Sequence, residues 1–274
     1  MHKYQDQVGN TIYYKLSGTG NPVMLVHGFG EDSAVWDNQV SHLKDSYQLI
    51  VPDLPGTGKS PIAKDMSVEG QAELLKQLLD HLDISRTCMI GHSMGGYITL
   101  AFADKYPSRL NGFGLFHSTA YADSEEKKEV RKKGIEFINK QGGFEYLKTS
   151  TPNLFSPLTK DQNPQLIQEQ TMRLRNFSGE ALVLYYHAMM QRPDRRDVLS
   201  KATVPVLFIM GEHDSAVPVK DVLEQSHLPE IAYIHSLRLS GHMGMLEEQD
   251  KSNWILEQYL KEVYTKTNTD RSDQ

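Results

Sequence analysis

Short apolar runs recur along the chain, and helical patterns separate most of them. "PVMLVHG" (Pro22 to Gly28), "YQLIVPD" (Tyr47 to Asp53), "TCMIGHS" (Thr87 to Ser93), "LNGFGLFHS" (Leu110 to Ser118) and "VPVLFIMGEHD" (Val204 to Asp214) are continuous rather than alternating. Strands of that kind belong to a parallel sheet covered on both faces. "NTIYYKLSG" reads as an early strand paired with residues near Tyr4, and "IAYIHSLRLS" (Ile231 to Ser240) as the last one. Between them, Val68, Leu74, Leu75, Leu78, Leu79 and Leu82 fall at helical spacing behind Ser67, a natural N-cap. Met94 to Tyr106 reads as a helix closed by Pro107, and about Met243 to Val263 as a long C-terminal helix. Strand and helix in alternation predict an α/β fold: a mostly parallel sheet with helices on both faces.

The rhythm breaks between Thr119 and about Ala202. "DSEEKKEVRKKGIEFINKQ", "GGFEYLKTSTPNLFSP", "NPQLIQEQTMRLRNF" and "GEALVLYYHAMMQRP" contain no strand-like run, and Gly and Pro punctuate them. The pattern predicts three or four helices inserted between two strands. The chain then divides into a core at 1–118 and 203–264, an all-helical insertion at 119–202, and a polar, unstructured tail at 265–274.

Composition narrows the partners. The 274 residues carry a formal net charge of -6, with 23 % charged residues and no basic stripe of the kind nucleic acids require. No apolar run reaches the ~18 residues of a membrane span. The start, "MHKYQDQVGNTIYYK", lacks the apolar region of a secretory signal, so a cytoplasmic setting is expected. The single cysteine, Cys88, sits in an apolar run and reads as a buried core thiol. It leaves neither an internal disulfide nor a cysteine-based metal cluster.

"GKS" at Gly58 to Ser60 suggests the end of a phosphate-binding loop. The full motif needs a glycine at position 53, where this chain has Asp53, and Pro61 interrupts the helix that should follow. The stretch does not fit a phosphate loop, and its identity must come from what surrounds it.

A stronger pattern is G-x-S-x-G at Gly91-His92-Ser93-Met94-Gly95, which follows a strand-like run and precedes a helical one. That context is a sharp strand-to-helix turn holding a serine hydroxyl at the start of a helix. A serine needs a base to take its proton. His242, in "LSGHMGML" just after the last strand-like run, is the best placed, with His187 and His213 as alternatives. His27 and His92 lie in tight turns, where packing is the better reading. The imidazole needs an orienting carboxylate. Asp214, ending "MGEHD", is the choice; Glu212 and Asp123 are alternatives. Oxyanion donors would be the Met94 N–H and the Phe29 N–H in "HGFG".

"HGFG", "DLPGTGKS", "GHSMGG", "GEHD" and "SGHM" occur in that order, and with them the chain resembles the α/β-hydrolase fold family over roughly Gly9 to Val263. The order Ser93, Asp214, His242 matches that family's nucleophile–acid–base order. The resemblance implies a helical cap over the active site, supplied by the insertion. Serine at position 93 argues against members that use aspartate there. It implies a serine hydrolase acting on small or medium-sized carboxylic esters through an acyl-enzyme, with no cofactor and no metal. Lactonase, thioesterase, carbon–carbon bond hydrolase and cofactor-free haloperoxidase or perhydrolase share the same machinery. A small-molecule receptor with little turnover is the alternative of another class. Phe144, Tyr146, Phe155, Phe177, Tyr185, Tyr186, Met189 and Met190 in the insertion are read mainly as core, and Arg173, Arg175 and Arg192 as surface.

Overall fold

The computed structural model describes the backbone of residues 1–272 and the side chains of residues 1–265. The tail expected to be unstructured at 265–274 instead continues the last helix in its backbone as far as Ser272, and residues 273–274 lie outside the described residues.

Eight strands form one sheet: β1 (His2–Gln5), β2 (Thr11–Ser17), β3 (Asn21–Val26), β4 (Tyr47–Asp53), β5 (Thr87–His92), β6 (Leu110–Phe116), β7 (Val206–Gly211) and β8 (Ala232–Leu237), in the order β1-β2-β4-β3-β5-β6-β7-β8. β1 and β2 pair antiparallel, as β2 does with β4; every later pairing is parallel. The helices are α1 (Asp37–Leu43), α2 (Val68–His81), α3 (Met94–Lys105), α4 (Glu125–Gln141), α5 (Gly143–Ser150), α6 (Pro157–Gln162), α7 (Pro164–Arg173), α8 (Gly179–Gln191), α9 (Arg196–Ser200), α10 (Val219–Leu223), α11 (Gly244–Glu247) and α12 (Gln249–Ser272).

Two apolar layers follow from the alternation of strand side chains. Met24, Ile50, Met89, Phe113 and Phe208 meet the α2 and α3 side chains Leu75, Leu78, Ile98 and Phe102. Val23, Leu49, Ile90, Leu207 and Ile209 meet Leu43 of α1 and Ile255, Leu256 and Leu260 of α12 on the other face. Cys88 is buried in this second layer, as read from the sequence. Both faces are covered, which is why the strands read as continuous apolar runs. Ser67 caps α2 by accepting from the Gly70 N–H at 2.9 Å.

Three expectations need correction. Between β6 and β7 the described residues form six helices and a 3-10 turn (Thr151–Leu154), not three or four helices. Gly142, Pro157 and Pro164 stand at helix starts and divide the long apolar-periodic stretches. The single C-terminal helix breaks at Glu248 (φ −127°, ψ 63°), whose carboxylate accepts from the Leu239 N–H (2.9 Å) and the Ser240 hydroxyl (2.7 Å). α1 and the 3-10 turn before it (Ser33–Trp36) are additional to the reading, because they are too short to show a periodicity.

The "DLPGTGKS" segment is a closed turn. Asp53 accepts from the Ser33 N–H (3.0 Å) and the Lys59 N–H (3.1 Å), while Ser60 donates to the Asp53 carbonyl (2.7 Å). A Cβ on Gly58 would lie 2.1 Å from the Asp53 carboxylate. The carboxylate therefore fills the place a phosphate would take, and Lys59 is exposed.

Candidate active site

β5 runs directly into α3, with Ser93 alone at the junction. Its backbone is left-handed (φ 50°, ψ −116°), a conformation that costs a non-glycine residue about 1–3 kcal/mol. Its N–H donates to the Phe116 carbonyl (2.9 Å), and its own carbonyl accepts from the Gly96 N–H (2.9 Å) and the Ser118 hydroxyl (2.7 Å). The flanking glycines are demanded by space. A Cβ on Gly91 would sit 2.2 Å from the Gly95 carbonyl oxygen, and one on Gly95 2.4 Å from that of Val26.

Asp214 follows β7 and is surrounded by donors. Its Oδ1 accepts from the N–H groups of Ala216 (2.8 Å) and Val217 (2.9 Å). Its Oδ2 meets Nδ1 of His242 (2.8 Å) and Nδ1 of His117 (3.0 Å). Burial alone would raise the carboxyl pKa, but the His242 charge and the imidazole hydrogen bonds hold it far below the usual range. His242 is buried, and burial alone would lower its pKa. The Asp214 charge and hydrogen bond, helped by Glu31 and Glu247, raise it instead. With Nδ1 committed to Asp214, His242 keeps Nε2 for a proton acceptor's role. Ser93 and His242 line the same cavity. No direct hydrogen bond joins them among the described residues; such bonds commonly close only around a substrate.

The alternatives lie elsewhere. Glu212 is exposed and accepts from the Ser236 hydroxyl (3.2 Å), and Asp123 is paired with arginines. His187 and His213 are exposed. His27 is packed, with Nε2 accepting from the Leu54 N–H at 3.0 Å.

Two groups escaped the sequence reading. His117 follows β6 in a left-handed conformation (φ 50°). Its Nε2 accepts from the Gly244 N–H (3.2 Å), so its single proton is on Nδ1 and points at Asp214. Burial first, then the neighbouring imidazoles His242 and His92, push its pKa down to about 4 against the pull of Asp214. His117, Asp214 and His242 lie close enough together to hold a metal ion, and hydrogen bonds from the two imidazoles to the carboxylate join them. The second group is Glu31, buried beside the "HGFG" turn. Its Oε2 accepts from the Gly28 N–H (2.6 Å) and contacts Nδ1 of His92 (2.9 Å). Nε2 of His92 donates to the His242 carbonyl (2.9 Å). His92, read as packing, therefore ties the turn at Gly28 to the loop of His242. A signal was available in the sequence: histidines stand at the C-terminal ends of neighbouring apolar runs, at positions 27, 92 and 117.

The Phe29 and Met94 N–H groups donate to nothing else among the described residues. Phe29 lines a cavity of about 390 Å³ with Tyr97, Tyr146, Tyr186, Met189 and Val217. Tyr185 is core, and its hydroxyl donates to the Pro55 carbonyl (2.6 Å). Arg173 and Arg175 are exposed, as read; Arg192 is buried, against the reading.

The model of the alpha/beta hydrolase fold matches residues 21–249, and the chain belongs to that family. It is similar to Lipase 3 of Moraxella sp., 27% identical over 241 residues, covering 84% of this chain and 74% of that one. A pimeloyl-[acyl-carrier protein] methyl ester esterase of Legionella pneumophila is 26% identical over 261 residues, covering 91% of this chain and 99% of that one. Among solved structures, a thermophilic esterase from Thermogutta terrifontis, with malate bound, superposes with a TM-score of 0.91 at 28% identity, covering 96% of this chain and 99% of that one.

Proposed function

We propose that the protein is a serine hydrolase of carboxylic esters. The observation that carries the reading is the convergence of a strained strand-end serine and an Asp214–His242 pair on one cavity. Ser93 Oγ attacks the ester carbonyl while His242 Nε2 takes its proton. The carbonyl oxygen gathers negative charge and is met by the Phe29 N–H in the turn after β3 and by the Met94 N–H at the start of α3. His242 then returns the proton to the departing alkoxide, leaving an acyl-enzyme on Ser93. Water, deprotonated by the same imidazole, attacks the acyl carbonyl and frees the acid. Asp214 keeps the imidazole oriented and stabilises its charged form. The insertion between β6 and β7 acts as a cap that walls the cavity.

Esterases and a lipase among the relatives support ester cleavage. A panel of p-nitrophenyl esters, lactones and acyl thioesters tests the reading. Esters should turn over fastest, and Ser93→Ala should lower kcat/KM by about 10³-fold or more. Near-wild-type turnover by folded Ser93→Ala protein would refute the mechanism.

A further inference from the structure

The cap-side wall of the cavity carries a charge that ester cleavage itself does not use. Asp123, on the segment leading into α4, has a fully buried side chain. Nε and Nη2 of Arg131 donate to it, and Nη1 of Arg192 forms an ion pair with it at 2.8 Å. One carboxylate between two guanidiniums leaves a positive charge unbalanced in a poorly hydrated place, where it attracts anions strongly. Arg192 is spent inward: it donates to the Met189 and Tyr121 carbonyls and lies over the Tyr97 ring at 3.8 Å. Arg131 instead lines the cavity, and its Nη1 donates to nothing among the described residues. Lys127, one turn earlier on α4, lines the cavity too, and its nearest acid, Asp221, is 3.9 Å away.

Neutral donors point the same way. Tyr97 lines the cavity one helical turn beyond Ser93, about 6 Å along the axis. It is 5% exposed, and its hydroxyl has no hydrogen-bond partner among the described residues. The Tyr146 and Tyr186 hydroxyls share one hydrogen bond, which leaves one of the two protons free to donate. The Tyr186 ring stacks on Phe29 at 4.4 Å, and the Arg131 guanidinium lies over the same ring at 5.5 Å. One aromatic ring therefore separates the turn that would hold the oxyanion from the Arg131 guanidinium. The acids on the opposite wall are already engaged: Glu31 by Gly28 and His92, and Asp32 by the Ala34 N–H.

We infer that this site takes half-esters of dicarboxylic acids, with the ester carbonyl at Ser93 and the free carboxylate at Arg131, Lys127 and Tyr97. The inference rests on the ester-hydrolase reading above. Such a carboxylate is ionised at neutral pH, and charge-assisted bonds to it are the strong ones.

The test uses monomethyl esters of linear dicarboxylic acids of increasing length, each beside the methyl ester of the corresponding monoamide, which is equal in shape and neutral. At the best length the wild-type kcat/KM should favour the half-ester by about 10- to 100-fold. Added salt should erode that ratio. In Arg131→Gln the ratio should fall to within about twofold of unity, and Arg131→Lys should restore part of it. The wild-type ratio needs no variant, so an unfolded Arg131→Gln protein leaves the test standing. Hydrolysis of both series with no anion preference at any length would overturn this inference and leave the ester-hydrolase reading intact. No hydrolysis of either series, nor of p-nitrophenyl acetate, would overturn both.

Discussion

Two buried aspartates, Asp214 and Asp123, each accept from two basic side chains, and they are built for opposite ends. Asp214 sits after β7 between two imidazoles. Asp123 sits after β6 between two guanidiniums. Around Asp214 one base, His117, stays neutral until about pH 4, so a single proton decides the charge of the group. Around Asp123 both bases are charged at every accessible pH. The first cluster can move a proton; the second can only hold a charge. Burial alone does not distinguish them, because both carboxylates are almost wholly hidden from solvent. The pKa of the partner does.

The largest effect should come from breaking the proton-moving end. Asp214→Asn places an amide where the His242 and His117 N–H groups now donate, so His242 is driven toward the wrong tautomer. kcat/KM for ester hydrolysis should fall about 10³- to 10⁴-fold with the fold retained. Glu212→Gln, at an exposed residue two positions away, should keep most activity. The reverse ranking would move the acid assignment.

Asp123→Asn should act differently. It leaves two guanidiniums facing each other, Arg192 with 3% of its side chain exposed. Removing one member of a buried ionic cluster costs about 3–5 kcal/mol. Denaturant unfolding should therefore show a lower midpoint, by far more than for Asp214→Asn relative to its loss of activity. Neutral-ester turnover per folded molecule should survive better than in Asp214→Asn. An Asp123→Asn protein as stable as wild type would mean that the second aspartate is not an electrostatic linchpin.

The two clusters were unequally legible in the sequence. Ser93 and Asp214 sit at the ends of apolar runs and His242 in the loop after the last strand, and a strand-end loop is short enough for position along the chain to predict position in space. The proposed backbone donors, the Phe29 and Met94 N–H groups, were chosen by the same logic. His117 also ends such a run, but nothing in its neighbours shows that its ring turns toward Asp214; that follows from the β6–β7 pairing and its left-handed backbone. Arg131 belongs to α4 and Arg192 to the segment just after α8, and they meet only because α4 and α8 pack. A charge run such as "EEKKEVRKK" reads as a solvated face, and only packing reveals which of its members turns inward.

The smallest effect, and the finest test of the contrast, concerns His117. On the proposed mechanism the base form of His242 takes the Ser93 proton, and Asp214 holds the His242 pKa above its ordinary value. Wild-type kcat/KM should therefore rise about tenfold per pH unit up to a midpoint above 6.5 and level off beyond it. His117 contributes no charge at these pH values, only an N–H donated to Asp214. Replacing it by phenylalanine removes that donor and leaves the carboxylate less satisfied, hence a stronger attractor for the His242 proton. The midpoint should move to higher pH by about half a unit to one unit. His117→Asn, which still offers an N–H, should return it toward the wild-type value. Both variants lose the acceptor for the Gly244 N–H, so both should be less stable. A role confined to packing would lower the unfolding midpoint of both and leave the pH midpoint of both unchanged, and that result would reduce His117 to a spacer beneath Asp214.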